Sequence, residues 1–490
     1  MFNRGLVNVN VRRSSQLIRL ASTSSSRPYN RAIDPTSSEG SLLHELKLLS
    51  SQPDANVIPV SKELRDYYRQ RQNFREVERV SIIKLSVTGN GIALVKSEEN
   101  DQGSIFVSVP FTLPGDIVDL KIGIHHEAYA EGHLVRVVSP SHLRDDKLIG
   151  CKYFNSCSGC QLQMLSYEKQ VDFKTNTVKD AFAQFGFDIN RLPILETVKS
   201  PLQYNYRTKL TPHFNSNRKY LKLGFEGVFD GRKRLFDLES CDIATPVLNK
   251  ALVEDREVLL NKVREYKRSG TILLRDTTLP SDETPSYTID HRRIIKQEVG
   301  GFQFEFPAGE FFQNNPSILP ELVSTISSHI VPSKHKTLVD TYCGSGFLGI
   351  SLSGKVESLI GIEISKGNLT FASHNAKVNN ISNATFHLGS SEDIFESLDA
   401  TDIDNKETVV ILDPSRKGST ESYLSQLSQF EPDLVVYLSC NVFSQARDLD
   451  YFLNKTENGQ KYEITTVQGW DFFPQTKHVE SLAILKHKGS

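Results

Sequence analysis

The sequence predicts a multidomain α/β protein, with a doubly wound sheet in its C-terminal part, a small β-barrel towards the N-terminus and an α+β region between them. Three observations carry this. The 490 residues, 38% hydrophobic and 24% charged, have the composition of a globular chain, and the length suits about three domains at roughly 150 residues each. Five short β-rich runs separated by turn signals fall within residues 78–142. From residue 301 onward, short apolar runs alternate with helical stretches, the pattern of a parallel sheet covered on both faces. No apolar run is long enough for a membrane-spanning helix, and no membrane partner is expected.

Charge separates the first segment from the rest. Overall, 57 Lys+Arg stand against 59 Asp+Glu, a formal net charge of −2. That balance excludes a polyanion partner held by a general positive field, so a nucleic acid would have to be met by local patches. Residues 1–33 contain six Arg (Arg4, Arg12, Arg13, Arg19, Arg27 and Arg31), six Ser and no acid. Arg-rich, Ser-rich and acid-free is the composition of a mitochondrial transit peptide. A mitochondrial location is therefore expected, with nucleus and cytoplasm left open; the alternative is a plain unstructured tail.

Residues 34–77 read as a linker that ends in a basic–aromatic segment. Arg65 to Arg79 interleaves five Arg with Tyr67, Tyr68 and Phe74, which suits either an RNA surface or a solvated helix. Within 78–142 the expected strands are Ser81–Leu85, Gly91–Lys96, Ile105–Val109, Ile117–Ile122 and Gly132–Val138, broken by Gly89-Asn90-Gly91 and Pro114-Gly115-Asp116. Five strands in so short a span fit a barrel of the oligonucleotide-binding kind.

The central region, 150–300, mixes both periods. Its Cys151, Cys157 and Cys160 lie close in sequence, with Cys241 further on. Six cysteines in the whole chain are too few for a disulfide framework. Four soft thiolates would suit a [4Fe–4S] cluster or a structural zinc, and simple packing is the alternative. Tyr204 to Lys209, Gly231-Arg232-Lys233-Arg234 and His291-Arg292-Arg293 are local concentrations of positive charge.

In residues 301–490, Thr337–Asp340, Leu359–Glu363, Ala384–Leu388, Val409–Asp413 and Leu434–Cys440 read as buried parallel strands, with a helix over Lys366–Asn379. Ligands of such sheets bind beyond the carboxyl ends of the strands, and here those ends carry Asp340, Glu363, Asp413 and Cys440. Tyr342-Cys343-Gly344-Ser345-Gly346-Phe347-Leu348-Gly349 has the form of a nucleotide-binding glycine turn, with Glu363 placed to hold a ribose. A nicotinamide enzyme and an S-adenosylmethionine enzyme share that logic. Asp413-Pro414 and Cys440 favour the second, because hydride transfer needs neither. A thiolate adding at C6 of uracil would make C5 nucleophilic, and a base such as Glu480 could then remove the C5 proton. Cys440 could otherwise be a small buried thiol.

Five ordered motifs then establish a resemblance. They are Phe311-Phe312-Gln313-Asn314-Asn315, Asp340 to Gly346, Asp413 to Gly418, Ser439-Cys440-Asn441 and Phe473 to Glu480. In these the chain, over about residues 78–490, resembles the RNA 5-methyluridine methyltransferase family, in its tRNA (uracil-5-)-methyltransferase and 23S rRNA uracil-C5 branches. The β-rich segment is similar to the TRAM domain. The resemblance implies a Rossmann-like class I methyltransferase sheet and transfer of a methyl group from S-adenosylmethionine to C5 of a uridine in RNA. The T-loop uridine 54 of tRNA is the favoured target and rRNA the alternative. It implies Cys440 as nucleophile and Glu480 as proton acceptor, with Gln313, Tyr342, Glu363 and Asp413 around the methyl donor. The cysteine spacing resembles the cluster-bearing rRNA branch, which implies Cys151, Cys157, Cys160 and Cys241 as ligands of an iron–sulfur cluster. A monomer acting on RNA is expected. Two departures stand out: Phe347 where many members have Asn, and Val442 where many have Pro, a change expected to loosen the turn after the nucleophile. A non-catalytic RNA-binding module and a nicotinamide oxidoreductase remain the competing classes.

Overall fold

The computed structural model describes residues 33–52, 56–71, 73–99, 103–215, 220–229, 232–390 and 403–489. The arginine-rich leader, up to residue 32, lies outside them. Residues 34–490 form one compact unit.

Arg75–Leu85, Asn90–Lys96, Ser104–Pro110, Ile117–His125 and Tyr129–Ser139 close into a barrel, in the neighbour order first, second, third, fifth, fourth. The alternation in the sequence sets the inside. Ile105, Val107 and Val109 from one strand meet Val118, Leu120 and Ile122 from another in its core. Gly89 turns the first hairpin at a φ of 76°, a conformation that favours glycine.

The stretch read as a linker is instead partly helical. Ser37 caps a helix over Ser38–Ser50 by accepting from the Gly40 N–H. Its Leu42 and Leu46 pack on Ile92, Phe106 and Tyr129, outside the barrel. Leu43 and Leu49 pack against the same surface from the flanks, and so short a helix owes its stability to the surface beneath it. A second helix, Lys62–Arg71, spends one aromatic of the basic–aromatic segment on packing. Tyr68 stacks on His125 at 4.2 Å and donates to Glu98 at 2.8 Å.

The large sheet has eight strands, in the order Ala384–Leu388, Ser358–Glu363, Thr337–Asp340, Thr408–Leu412, Leu434–Ser439, Glu480–His487, Tyr462–Trp470 and Ile194–Val198. The five strands expected from sequence are parallel and nearly in their expected bounds. Two corrections follow. The sheet is mixed, because Glu480–His487 runs antiparallel to both of its neighbours. The boundary at 300 also cuts through it, since Ile194–Val198 forms its edge. The helix Tyr167–Gln184 belongs there too, with Val178, Ala181 and Phe182 buried in one core with Leu449 and Phe452. Chain order reverses on either side of Thr337–Asp340, and a crevice opens at such a point.

Candidate active site

A cavity of about 1020 Å³ opens over these strand ends. The glycine turn forms part of its wall. Gly344 and Gly346 adopt φ of 55° and 91°, and a Cβ on Gly346 would meet Ile350 at 2.7 Å. Glu363 braces the turn by accepting from the Gly344 N–H at 3.0 Å and the Ser365 N–H at 2.7 Å. Asp340 accepts from the Gly349 N–H at 3.1 Å through Oδ2. Its Oδ1 is buried with no hydrogen-bond partner among the described residues, and burial pushes its carboxyl up to about 7. A buried carboxyl beside a glycine turn fits a donor molecule that carries an ammonium group. Gln313, Tyr342, Glu363 and Asp413, the four expected around the methyl donor, all line this cavity. Phe347 packs edge-on against Phe304 and Phe312, each at 5.6 Å. The first departure therefore builds apolar wall.

Cys440 and Glu480 enter the cavity from adjacent strands. The antiparallel register pairs Ser439 with Ser481, so one step further along brings Cys440 alongside Glu480. Burial, with Glu480 and Asp413 nearby, pushes the Cys440 thiol up to about 12. Burial and Asp413 push Glu480 up to about 8, and burial with Asp340 pushes Asp413 up to about 7. The Arg416 guanidinium favours the charged forms of both Cys440 and Glu480. Three acids and the Arg416 guanidinium thus share a largely buried site, an arrangement typical of proton-transfer chemistry.

The second departure does not loosen its turn. Val442 is buried and begins the helix Val442–Lys455, whose first turn Asn441 caps by accepting from the Phe443 N–H. The Asn441 amide also donates to Arg416 O at 3.0 Å and to Thr36 O at 3.2 Å. The nucleophile's turn is thereby tied to the Asp413–Gly418 loop and to the segment that leads into the N-terminal helix.

Residues 471–479, which deliver Glu480, are held almost wholly by other segments. Phe472 O accepts from Asn315 at 3.0 Å, Phe473 O from Lys174 at 3.0 Å and Pro474 O from Tyr206 at 3.0 Å. Gln475 O accepts the N–H groups of Gln161 and Leu162. Gln475 and Gln170 exchange two further bonds, and Lys477 N–H donates to Gln161. Lys174 is itself fully buried against Asp471. Tyr206 is consumed here and Lys209 donates to Gly309 O, so the Tyr204–Lys209 segment serves mainly as internal structure. Its Arg207 does reach the cavity, lying over the Phe473 ring at 5.9 Å.

The four cysteines gather as their spacing suggested, but the structure does not show a metal site. Cys151, Cys157, Cys160 and Cys241 do converge on the same cavity, and burial pushes each thiol up. Among the described residues, however, no group of three or more His, Cys, Asp or Glu side chains could hold a metal ion. An iron–sulfur or zinc site is therefore not shown for these four cysteines, and no step of the chemistry runs through one. Sequence reading had not singled out Arg416, Lys477 and His478, which also line the cavity. All three stood inside quoted motifs, the one signal that could have found them. Burial and the nearby Lys477 push His478 down to about 4, so it acts as a neutral imidazole.

Comparison with known proteins agrees with this geometry. The tRNA (uracil-5-)-methyltransferase profile matches residues 289–488 and the TRAM domain profile residues 71–135. A tRNA (uracil(54)-C(5))-methyltransferase of Schizosaccharomyces pombe is 41% identical over 474 residues, covering 94% of this chain and 85% of that protein. Its Saccharomyces cerevisiae counterpart is 38% identical over 477 residues, covering 85% and 74%. The crystal structure of a Pyrococcus abyssi tRNA (uracil-54, C5)-methyltransferase with S-adenosyl-L-homocysteine shares the fold at a TM-score of 0.59. It is 20% identical and covers 83% of this chain and all of that one. By its site, its barrel and these relatives, the chain belongs to the tRNA (uracil-5-)-methyltransferase family.

Proposed function

We propose that this protein methylates C5 of uridine 54 in tRNA, using S-adenosylmethionine, through a covalent bond between Cys440 and C6 of the base. The carrying observation is the register that sets Cys440 beside Glu480 in the cavity shared with the glycine turn. The two fungal relatives support the choice of tRNA over rRNA. Gln313, Tyr342, Glu363 and Asp413 would hold the donor, which supplies an electrophilic methyl group when bound.

The chain's own residues carry the remaining steps. The target base leaves its stack to enter the cavity. The Cys440 thiol gives its proton to solvent at the cavity mouth as Sγ bonds to C6, and the C5–C6 electron pair becomes an enolate able to attack the methyl carbon. Glu480 then accepts the C5 proton. The released pair restores the C5–C6 double bond and the thiolate departs. The arginine-rich leader supports mitochondrial import as part of the same proposal.

The decisive experiment supplies S-adenosylmethionine and a tRNA T-arm with 5-fluorouridine at position 54. Fluorine cannot leave as a proton, so a protein–RNA adduct should persist on a denaturing gel and vanish with Cys440→Ser. No adduct, or one that survives that substitution, overturns the mechanism.

A pH dependence follows from Glu480. Its carboxyl, pushed up to about 8, is mostly protonated at pH 6 and becomes a base as pH rises. The rate at which methylated RNA is released from the covalent adduct, the step Glu480 serves, should climb about tenfold per pH unit below 8 and flatten above it. A flat profile between pH 6 and 9 would count against Glu480 as the base.

A further inference from the structure

A second cavity, of about 390 Å³, lies between the barrel, the cysteine-bearing segment and the hairpin formed by Glu226–Phe229 and Arg232–Leu235. Its size is that of a small-molecule site. Ser158 and Gln161 belong to its wall and to the wall of the catalytic cavity, so the two are neighbours across a partition two side chains wide. The barrel's Gly89 turn leaves no slack there: a Cβ on Gly89 would come within 3.0 Å of Lys477 and 3.2 Å of Gln161.

The lining is mixed in the way a nucleobase requires. Val135, on the barrel, and Val228, on the hairpin, offer apolar surface. The Asn155 amide and the hydroxyls of Ser156 and Ser158 make no side-chain hydrogen bond among the described residues, and His133 presents an imidazole that burial keeps neutral. An apolar peptide would leave these polar groups unpaired. Exposed Arg232, Lys233 and Arg234 stand on the hairpin that supplies Val228, whereas Lys121, on the barrel wall, is paired with Glu76 at 3.0 Å. A base pocket flanked by cations suits a nucleotide with its phosphates.

We propose that this cavity receives the nucleotide next to the target uridine in the same RNA strand. The inference rests on the RNA-methylating reading above. A uridine that leaves its stack strips a neighbouring base of a stacking partner, and an adjoining pocket with unpaired donors and acceptors compensates that loss.

The test uses T-arm RNAs that are abasic on one or the other side of uridine 54. With the unaltered protein, one of the two should raise KM about tenfold and leave kcat unchanged. Val135→Trp, which fills the pocket from an exposed strand position, should raise KM for intact RNA by a similar factor and erase the penalty of the abasic site. Asn155→Gly, at an exposed turn whose φ of 70° glycine tolerates, should give a smaller increase of the same kind. Affinity for S-adenosylmethionine, measured by titration, should be unchanged in both variants; if Val135→Trp loses it through misfolding, Asn155→Gly decides. Unchanged KM with both abasic RNAs, or penalties that multiply in Val135→Trp, would overturn the subsite. A 5-fluorouridine adduct formed by the unaltered protein in the same series would leave the methylation reading standing, whereas its absence would remove that reading.

Discussion

Glu480→Gln should convert the enzyme into a trap for its ordinary substrate. The amide keeps the shape of the side chain but cannot accept the C5 proton, so methyl transfer proceeds and release does not. Turnover should fall by about 10²–10⁴, the usual contribution of a positioned base. Unfluorinated tRNA should accumulate as a covalent adduct that carries the methyl group, visible on a denaturing gel and by mass. The site gives the loss its size. Glu480 is fully enclosed, with Cys440, Asp413 and Arg416 as its electrostatic neighbours, and bulk water has poor access to substitute for it. Normal turnover by this variant would take the base role from Glu480.

Asp471→Ala should be the most damaging substitution for stability. Lys174 and Asp471 are both completely buried and paired, and removing one partner strands a charge in the core. Such losses cost about 3–5 kcal/mol, a large share of a typical unfolding free energy of about 5–15 kcal/mol. A denaturant melt should show the loss directly. Lys174→Met with Asp471→Leu should recover most of the stability, because apolar replacement of a buried pair is often neutral. That double variant should still methylate slowly. It lacks the Lys174 ammonium that holds Phe473 O, and the loop delivering Glu480 is then less well fixed. Full activity in the double variant would show that this bond does not position the base.

Much of the catalytic half was legible from local pattern. A buried parallel strand must be continuously apolar, so Thr408–Leu412 and Leu434–Ser439 announced themselves, and a polar residue ending such a run has to stand at the mouth of the sheet. Asp413 and Cys440 were found on that ground. The barrel was equally open to reading, because period-two alternation and glycine turns are written into adjacent residues. The N-terminal helix was not, since Leu42 and Leu46 make sense only against Ile92, Phe106 and Tyr129. The antiparallel Glu480–His487 strand was missed for a similar reason: with both faces buried, its run of apolar residues carries no sign of direction.

The sequence by itself determined the strands, the glycine turn, the barrel and the identity of the two reacting side chains, all properties of short stretches of chain. Only the tertiary structure decided how those parts meet. The register of Ser439 on Ser481 sets the thiol beside the carboxyl. Gln161, Gln170, Lys174 and Tyr206 reach across hundreds of residues to hold the loop before Glu480. The pull of enclosure on the acids likewise exists only after folding. So does the gathering of the four cysteines on one cavity wall, which their spacing only suggested. Spacing records which groups can be brought near one another; distances, burial and charge are sums over the packed chain, and no local stretch of sequence contains them.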